Sequence, residues 1–460
     1  MQPVYSLSMS AIPVVAIFDV GKTNKKLFLF DENYQIVFEK SARFTQTVDE
    51  DGFPCENIES LRLSVFDSLS EVFRMKEYKI KSVNFSAYGA SFVYVGADGK
   101  PLTPLYNYLK EYPEELSRQF YNEYGGKDAV SLCTASPVLG SLNSGLQLYR
   151  LKYEQPEVFA RIAHVLHLPQ YLSFLLTGEP VSDLTSVGCH THMWDFTANR
   201  YHEWIQREGI AMKLPPIVAS GKVRPALFPG NNYKVGIGLH DSSAALIPYL
   251  VNFHEPFILI STGTWCISLN PFNHLPLTID ELKSDCLCYM QYQGKPVKAS
   301  RLFSGYEHEQ QTKRIAAHFN TNGIKYRNMA FDADVIKGLK NSQPGAASFE
   351  ERKLDGFRND TEAYHQLIID LINQQIQSTQ LVLNGTSVKR IFVDGGFSKN
   401  SIYMHLLAIA FPDIEVFSAS MAQATAVGAA LVIHKEWNRK PIPNDIIQLK
   451  YYSSNQSTTI

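Results

Sequence analysis

The sequence carries no excess of charge of either sign. Its 43 Lys and Arg nearly balance 45 Asp and Glu, for a formal charge of −2. It therefore lacks the basic field that draws a protein to nucleic acid or an anionic membrane surface, and no Lys/Arg-rich run supplies one locally. No apolar stretch approaches the roughly 18 residues that span a bilayer. The opening MQPVYSLSMSAIPVVAIFDV has no basic leader, and Asp19 interrupts its apolar run, which argues against a secretory signal. Cysteine is sparse: Cys55, Cys133, Cys189, Cys266, Cys286 and Cys288 form no C-x-x-C pair, and the last two are too closely spaced for a usual zinc site. They read as buried, reduced thiols. These absences predict a cytoplasmic globular protein that binds neither nucleic acid nor membrane.

One further absence removes a decoy. Gly21-Lys22-Thr23 ends like a phosphate-binding P-loop, but that loop needs a glycine where Ala16 stands, and a strand follows instead of a helix.

What is present is the pattern of an α/β protein. A chain of 460 residues predicts two large domains, divided here as 1–250 and 251–446, with a polar, frayed tail over 447–460. Residues 13–19 read as a buried strand, 20–24 as a turn, 25–30 as the returning strand and 34–39 as a third. The spacing predicts a helix over 58–77, a strand over 80–86, and helix again from about 145 to 175. A glycine-punctuated turn at 235–241 leads into a helix. The opening grammar then returns: strand 257–261, turn 262–264, strand 265–269. Strand 389–394, the turn at Gly395-Gly396, helix 398–411, strand 414–418 and helix 423–434 complete a βαβα series.

Four segments carry chemistry. In Asp19-Val20-Gly21-Lys22-Thr23-Asn24, a strand-end carboxylate sits beside turn amides and a hydroxyl, parts that suit Mg²⁺ and phosphate oxygens; a plain hairpin with a solvated lysine reads equally from these residues. Ser261-Thr262-Gly263-Thr264-Trp265 repeats that turn in the second half, with small residues that let an anion approach the backbone. His240-Asp241-Ser242-Ser243 puts one carboxylate at a helix start. There it can cap the helix, and it can also accept a proton from an attacking hydroxyl. Asp394-Gly395-Gly396-Phe397-Ser398-Lys399-Asn400 is a strand-to-helix turn open to a flat ring or ribose, or an ordinary connection. Ala424–Ala430 is a small-residue helix face suited to close packing.

In this order the four segments resemble the FGGY carbohydrate kinases over residues 13–435, nearest the L-fuculose and L-rhamnulose kinases. DVGKTN resembles the family's DxGxTN opening, STGTW its SSGTW, HDSSAA its HDT segment and DGGFSKN its GGGSKN-type loop. The resemblance implies two actin-like (ribonuclease H-like) domains, each a mixed sheet with flanking helices, around a central ATP/sugar cleft. It implies Asp241 as catalytic base and Asp19 as the carboxylate linked to Mg²⁺. ATP would be met by Lys22, Thr23 and Asn24, by Thr262, Gly263 and Thr264, and by Gly305, Gly395, Gly396 and Asn400. Gly89, Ser91, Asn107 and His240, with Asp241, are the sugar-facing choices. The family pattern is broken at Gln147, where a lysine is usual, at Gln423, where a glutamate is usual, and over Leu105–Leu109; these departures bear on the identity of the sugar more than on phosphoryl transfer.

The expected partners are therefore a small ketose and ATP, with L-fuculose or L-rhamnulose phosphorylated at the C1 hydroxyl. A homodimer is left open. A xylulose- or ribulose-type kinase, a phosphatase or ATPase on the same fold, and a non-catalytic sugar sensor are the alternatives.

Overall fold

The computed structural model describes residues 10–42, 45–230, 232–342 and 348–453. By compactness the chain forms two units. The first comprises Met1–Val251, Cys288–Lys295 and Gln423–Ile446; the second comprises Asn252–Leu287, Pro296–Ala422 and Ile447–Ile460. The division read from the sequence runs straight along the chain, whereas residues 423–446 group with the first unit.

The first unit is built on a seven-stranded mixed sheet. Its order is Val223–Pro225, Lys234–Gly236, Tyr78–Ala87, Ile12–Val20, Lys25–Asp31 and Ile36–Ala42, and the short strand Leu239–His240 also pairs with Tyr78–Ala87. Ile12–Val20 is central, and Val14 to Ile17 are fully buried, which is why this segment is an unbroken apolar run rather than an alternating one. Its antiparallel partner places Lys26 opposite Asp19, and its parallel partner places Ser86 there. Helix Ile58–Arg74 starts at Asn57, whose side chain accepts from Ser60 N, and buries Leu61, Val65, Leu69 and Val72 against this sheet's core.

The second unit carries another seven-stranded sheet, ordered Cys286–Met290, Pro296–Leu302, Cys266–Asn270, Phe257–Thr262, Arg390–Gly395, Glu415–Ser420 and Gln448–Tyr452. Helix Asp360–Leu383 buries Tyr364, Leu367, Ile368 and Leu371 in its core. In both units a central strand runs antiparallel to its sequence neighbour and parallel to a later strand. The repeated strand–turn–strand grammar thus has a repeated structural counterpart.

Two expectations are corrected. The stretch read as helical from 145 to 175 contains helices Ser144–Glu154, Pro156–Arg161 and Leu168–Thr177, but Ile162–His167 is a strand. It pairs antiparallel with Phe92–Gly96, and that pairing overrides a local pattern that fits either state. In the tail, Gln448–Tyr452 is not frayed; it pairs with Glu415–Ser420 and closes the sheet edge. Residues 454–460 lie outside the described residues.

Candidate active site

In the first unit, Asp19 ends its strand with its carboxylate turned to helix Ala424–Val432. Thr425 Oγ1 donates to Asp19 Oδ2 at 2.7 Å. Burial pushes the Asp19 carboxyl up to about 6; the Thr425 hydrogen bond opposes that rise, and the negative charge of Asp241 adds to it. Asp241 opens helix Asp241–Asn252. Its Oδ1 accepts from Ser242 N at 2.6 Å and Ser242 Oγ at 3.3 Å. Burial pushes its carboxyl to about 6 as well, while those bonds hold it down. The side chain is nonetheless 29% exposed, so it keeps an open side. A carboxylate with a pKa near 6 is ionised at neutral pH and still basic enough to receive a proton.

His240 backs this carboxylate. Its Nε2 lies 3.3 Å from Asp241 Oδ1 and 3.1 Å from Cys189 Sγ. Burial lowers its pKa to about 4, so the ring is neutral at pH 7. Tyr289 stacks on it with ring centroids 5.9 Å apart. The segment behind it is tied down by buried polar bonds: His240 N donates to Thr185 Oγ1, Gly238 N to Asn84 Oδ1, and Asn84 Nδ2 to Ala429 O. These bonds give the Asp241 helix start a rigid support.

Beside His240, Gly89 lies so close that a Cβ would come within 2.8 Å of the ring. Ser91 is buried, and its hydroxyl faces that of Tyr88 without a well-aligned hydrogen bond among the described residues. Asn107 is engaged locally, donating to Pro54 O and accepting from Leu109 N, which is the behaviour of a turn residue. Gln147 donates to Ala90 O and Ser141 O and so anchors the loop carrying Gly89 and Ser91.

The first turn is closed by Gly21 N donating to Asn24 O at 2.9 Å, and Thr23 and Asn24 are exposed. Lys22 departs from expectation: its ammonium is 3.7 Å from Glu56 Oε1 and lies over the rings of Tyr88 and Tyr108.

In the second unit the residues assigned to the nucleotide meet. Thr262 Oγ1 donates to Asp394 O at 2.6 Å and accepts from Phe397 N at 2.9 Å, while Gly396 N donates to Thr262 O. Thus the 262–265 turn is stitched to the 394–397 turn, and Gly263, Thr264, Gly395 and Gly396 stay exposed. Gly395 has φ +91°, and a Cβ there would lie 2.0 Å from Thr262 O; at Gly305 it would lie 1.8 Å from Gly263 O. Both positions require glycine so that three backbone segments can converge. Asn400 is held differently: it caps helix Ser401–Ala410 through Tyr403 N and donates to Tyr364 OH, so its amide is committed to the fold.

Sequence reading missed Thr425, Glu56 and Tyr108. Thr425 lay in a segment read as packing, and that packing is real: a Cβ at Gly428 would lie 1.8 Å from Ala244 O of the helix that Asp241 opens. No local signal marks the other two, because only tertiary pairing brings them to the first turn.

Family models match in two blocks: "FGGY family of carbohydrate kinases, N-terminal domain" over residues 14–247, and "Carbohydrate kinase FGGY, C-terminal domain" over residues 254–441. The chain is similar to a rhamnulokinase of Oceanobacillus iheyensis, 23% identical over 275 residues that make up 56% of each protein. It is also similar to a rhamnulokinase of Halalkalibacterium halodurans, 23% identical over 279 residues, 57% of this chain and 56% of that one. The matched region thus spans little more than half the length of these curated relatives. Among solved structures, a carbohydrate kinase from Novosphingobium aromaticivorans has a TM-score of 0.80 at 23% identity. A ligand-bound xylulose kinase from Lactobacillus acidophilus has 0.79 at 17%. In both, 96% of this chain and 94% of the other are covered. At such identities these likenesses are of fold.

Proposed function

The chain belongs to the FGGY family of carbohydrate kinases, and on that premise we propose that it transfers the γ-phosphoryl group of ATP to a hydroxyl of a small ketose. The observation that carries this reading is the pair Asp241 and Asp19: one carboxylate at a helix start, held by Ser242 N and backed by His240, and one at a strand end, held by Thr425 and raised in part by the charge of Asp241. The names of the two rhamnulokinases make L-rhamnulose, with its near relative L-fuculose, the first acceptors to test, at C1.

In this reading Asp241 accepts the proton of the attacking hydroxyl as the new P–O bond forms and the bond from the γ-phosphorus to the β,γ-bridging oxygen breaks, leaving ADP. His240 and the amide of Ser242 orient the carboxylate. The turns at Lys22-Thr23-Asn24 and Thr262-Gly263-Thr264 offer amides and hydroxyls to phosphate oxygens. Gly305, Gly395 and Gly396 leave room for the nucleotide, with Asn400 shaping that loop. Gly89 and Ser91 line the sugar side, and Asn107 holds a turn beside it. Positioning and charge stabilisation carry most of the acceleration in such transfers.

The donor set suits Mg²⁺ as a nucleotide-borne ion. Asp19 is one buried carboxylate, and the described residues hold no cluster of three His, Cys, Asp or Glu able to bind a metal by themselves; Mg²⁺ typically takes one or two carboxylates plus phosphates and water. When bound, it would neutralise charge on the phosphates. The described residues contain no helix long and apolar enough to cross a membrane, and we place the enzyme in the cytoplasm, where ATP is supplied.

The test is ADP release, coupled to a reporter, over L-rhamnulose, L-fuculose, D-xylulose, L-ribulose, D-ribulose, L-xylulose and glycerol. Sugar-dependent release supports the reading. Phosphate release at the same rate without any sugar would instead identify a phosphatase or ATPase.

A further inference from the structure

Lys22 occupies the turn assigned to phosphate, yet its side chain is spoken for elsewhere. Its ammonium lies 5.3 Å from the Tyr88 ring centroid and 5.2 Å from that of Tyr108, and 3.7 Å from Glu56 Oε1. The two rings meet edge to face, centroids 6.1 Å apart. Glu56 comes from strand Pro54–Glu56, and its side chain is only 7% exposed. Lys25 Nζ approaches its other oxygen at 3.1 Å. Neither Glu56 oxygen accepts a well-aligned hydrogen bond among the described residues, and the buried Tyr88 hydroxyl faces both Glu56 and Ser91 without good alignment to either.

Such an arrangement is costly unless something completes it. A buried carboxylate that faces cations but receives no aligned donor regains little of its lost hydration. The ammonium has three protons to offer and is half-wrapped by aromatic faces. Burial lowers its pKa, and Glu56 opposes that. The group therefore brings donors from Lys22 together with acceptors from Glu56, with the Tyr88 hydroxyl turned to the same carboxylate. Its location matters as much as its chemistry. Tyr88 N donates to Val20 O at 3.1 Å, next to Asp19. Burial raises the Tyr108 phenol, and the negative charges of Asp241 and Glu56 raise it further, so this ring lies within the field of the base.

We propose that Lys22 and Glu56, framed by Tyr88 and Tyr108, form part of the acceptor-sugar site, where they bind a vicinal diol of a neutral ketose. This rests on the kinase reading above and deepens it. The backbone of Lys22 remains in the phosphate turn; its side chain acts on the other substrate. A diol answers the deficit on both sides, since its hydroxyls donate to Glu56 and their oxygens accept from Lys22.

The two assignments separate kinetically. In the full chain, Lys22→Met keeps the aliphatic stem over the rings and removes the charge, and Glu56→Gln keeps the shape of its partner. With L-rhamnulose and D-xylulose as probes, either variant should raise the sugar KM about 10- to 100-fold, the size expected for a lost charge-assisted hydrogen bond. The KM for ATP should stay within about twofold. A raised ATP KM with an unchanged sugar KM would return Lys22 to the nucleotide and overturn the inference. So would two unchanged KM values, which would make the pair a structural ion bridge. A far-ultraviolet spectrum and melting curve establish that each variant is folded; should Glu56→Gln unfold, Lys22→Met alone decides. If the unmodified chain releases no ADP with any ketose, the kinase reading itself fails and takes this inference with it. Normal wild-type turnover with an unmoved sugar KM defeats the inference alone.

Discussion

Thr425 and Asp19 are 406 residues apart in sequence, yet the Thr425 hydroxyl donates to the Asp19 carboxylate at 2.7 Å. The bond favours the ionised form of a carboxylate that burial disfavours. Thr425→Val should therefore push the Asp19 pKa further up and move the acid limb of the pH–rate profile to higher pH. Turnover at neutral pH should fall about tenfold, the scale of one hydrogen bond to a charged group. Thr425→Ser should recover most of it. A profile identical to wild type would remove Thr425 from the site.

Activity should depend on pH through the same two groups. Asp19 and Asp241 are both raised to about 6, and the proposed mechanism uses both as carboxylates. The ratio kcat/KM should thus be flat above neutrality and fall as pH drops through about 6, with a limiting slope steeper than one decade per pH unit because two groups must both be ionised. Initial rates between pH 5 and 8 measure this; a flat profile down to pH 5 would exclude both carboxylates from the chemistry.

The base should also cost stability. The Asp241 carboxyl rises from an ordinary 3.8 to about 6 in the folded chain, so the folded state holds the proton more tightly than the unfolded one. Stability is then lost as pH rises from about 4 to 6, and the full penalty stands above that range. A rise of this size corresponds to at most about 3 kcal/mol, and the open side of the carboxylate reduces it to about 1–2 kcal/mol by solvent screening. Asp241→Asn, which keeps an acceptor for Ser242 N, should raise the melting temperature at pH 7.5 and leave it unchanged at pH 4. Equal melting temperatures at both pH values would show that the carboxylate is not strained by burial.

The second unit makes a separate prediction. Gly305→Ala drives a methyl to 1.8 Å from Gly263 O, a backbone atom that can yield only by moving the 262–265 turn. ADP affinity measured by calorimetry should fall at least tenfold, a loss of about 1.4 kcal/mol or more, while sugar binding without nucleotide is unchanged. Undiminished ADP affinity would place the nucleotide elsewhere.

The chemistry-bearing turns were legible because each is local. An apolar run ending in Asp19-Val20-Gly21 and resuming at Lys25 must reverse there, and His240-Asp241-Ser242 announces a helix start. The rest was hidden in distance. The segment Ile162–His167 is apolar enough for helix or strand, and only its pairing with Phe92–Gly96 decides. Thr425 looked like one small residue among alanines until its helix met the opening strand. Lys22 was read by its place in a turn, whereas its partners Glu56, Tyr88 and Tyr108 arrive from three other segments. Asparagine at a helix start is itself a capping signal, and Asn400 caps its helix through Tyr403 N.

The most direct test of the account compares sugar-dependent ADP release by the unmodified chain and by Asp241→Asn, at saturating ATP, with ATP affinity measured alongside. The account predicts that turnover falls by about 10²–10⁴-fold, the usual contribution of a positioned general base, with ATP affinity unchanged. Turnover surviving within about tenfold of the unmodified chain would contradict it, because that lies below the usual contribution of such a base.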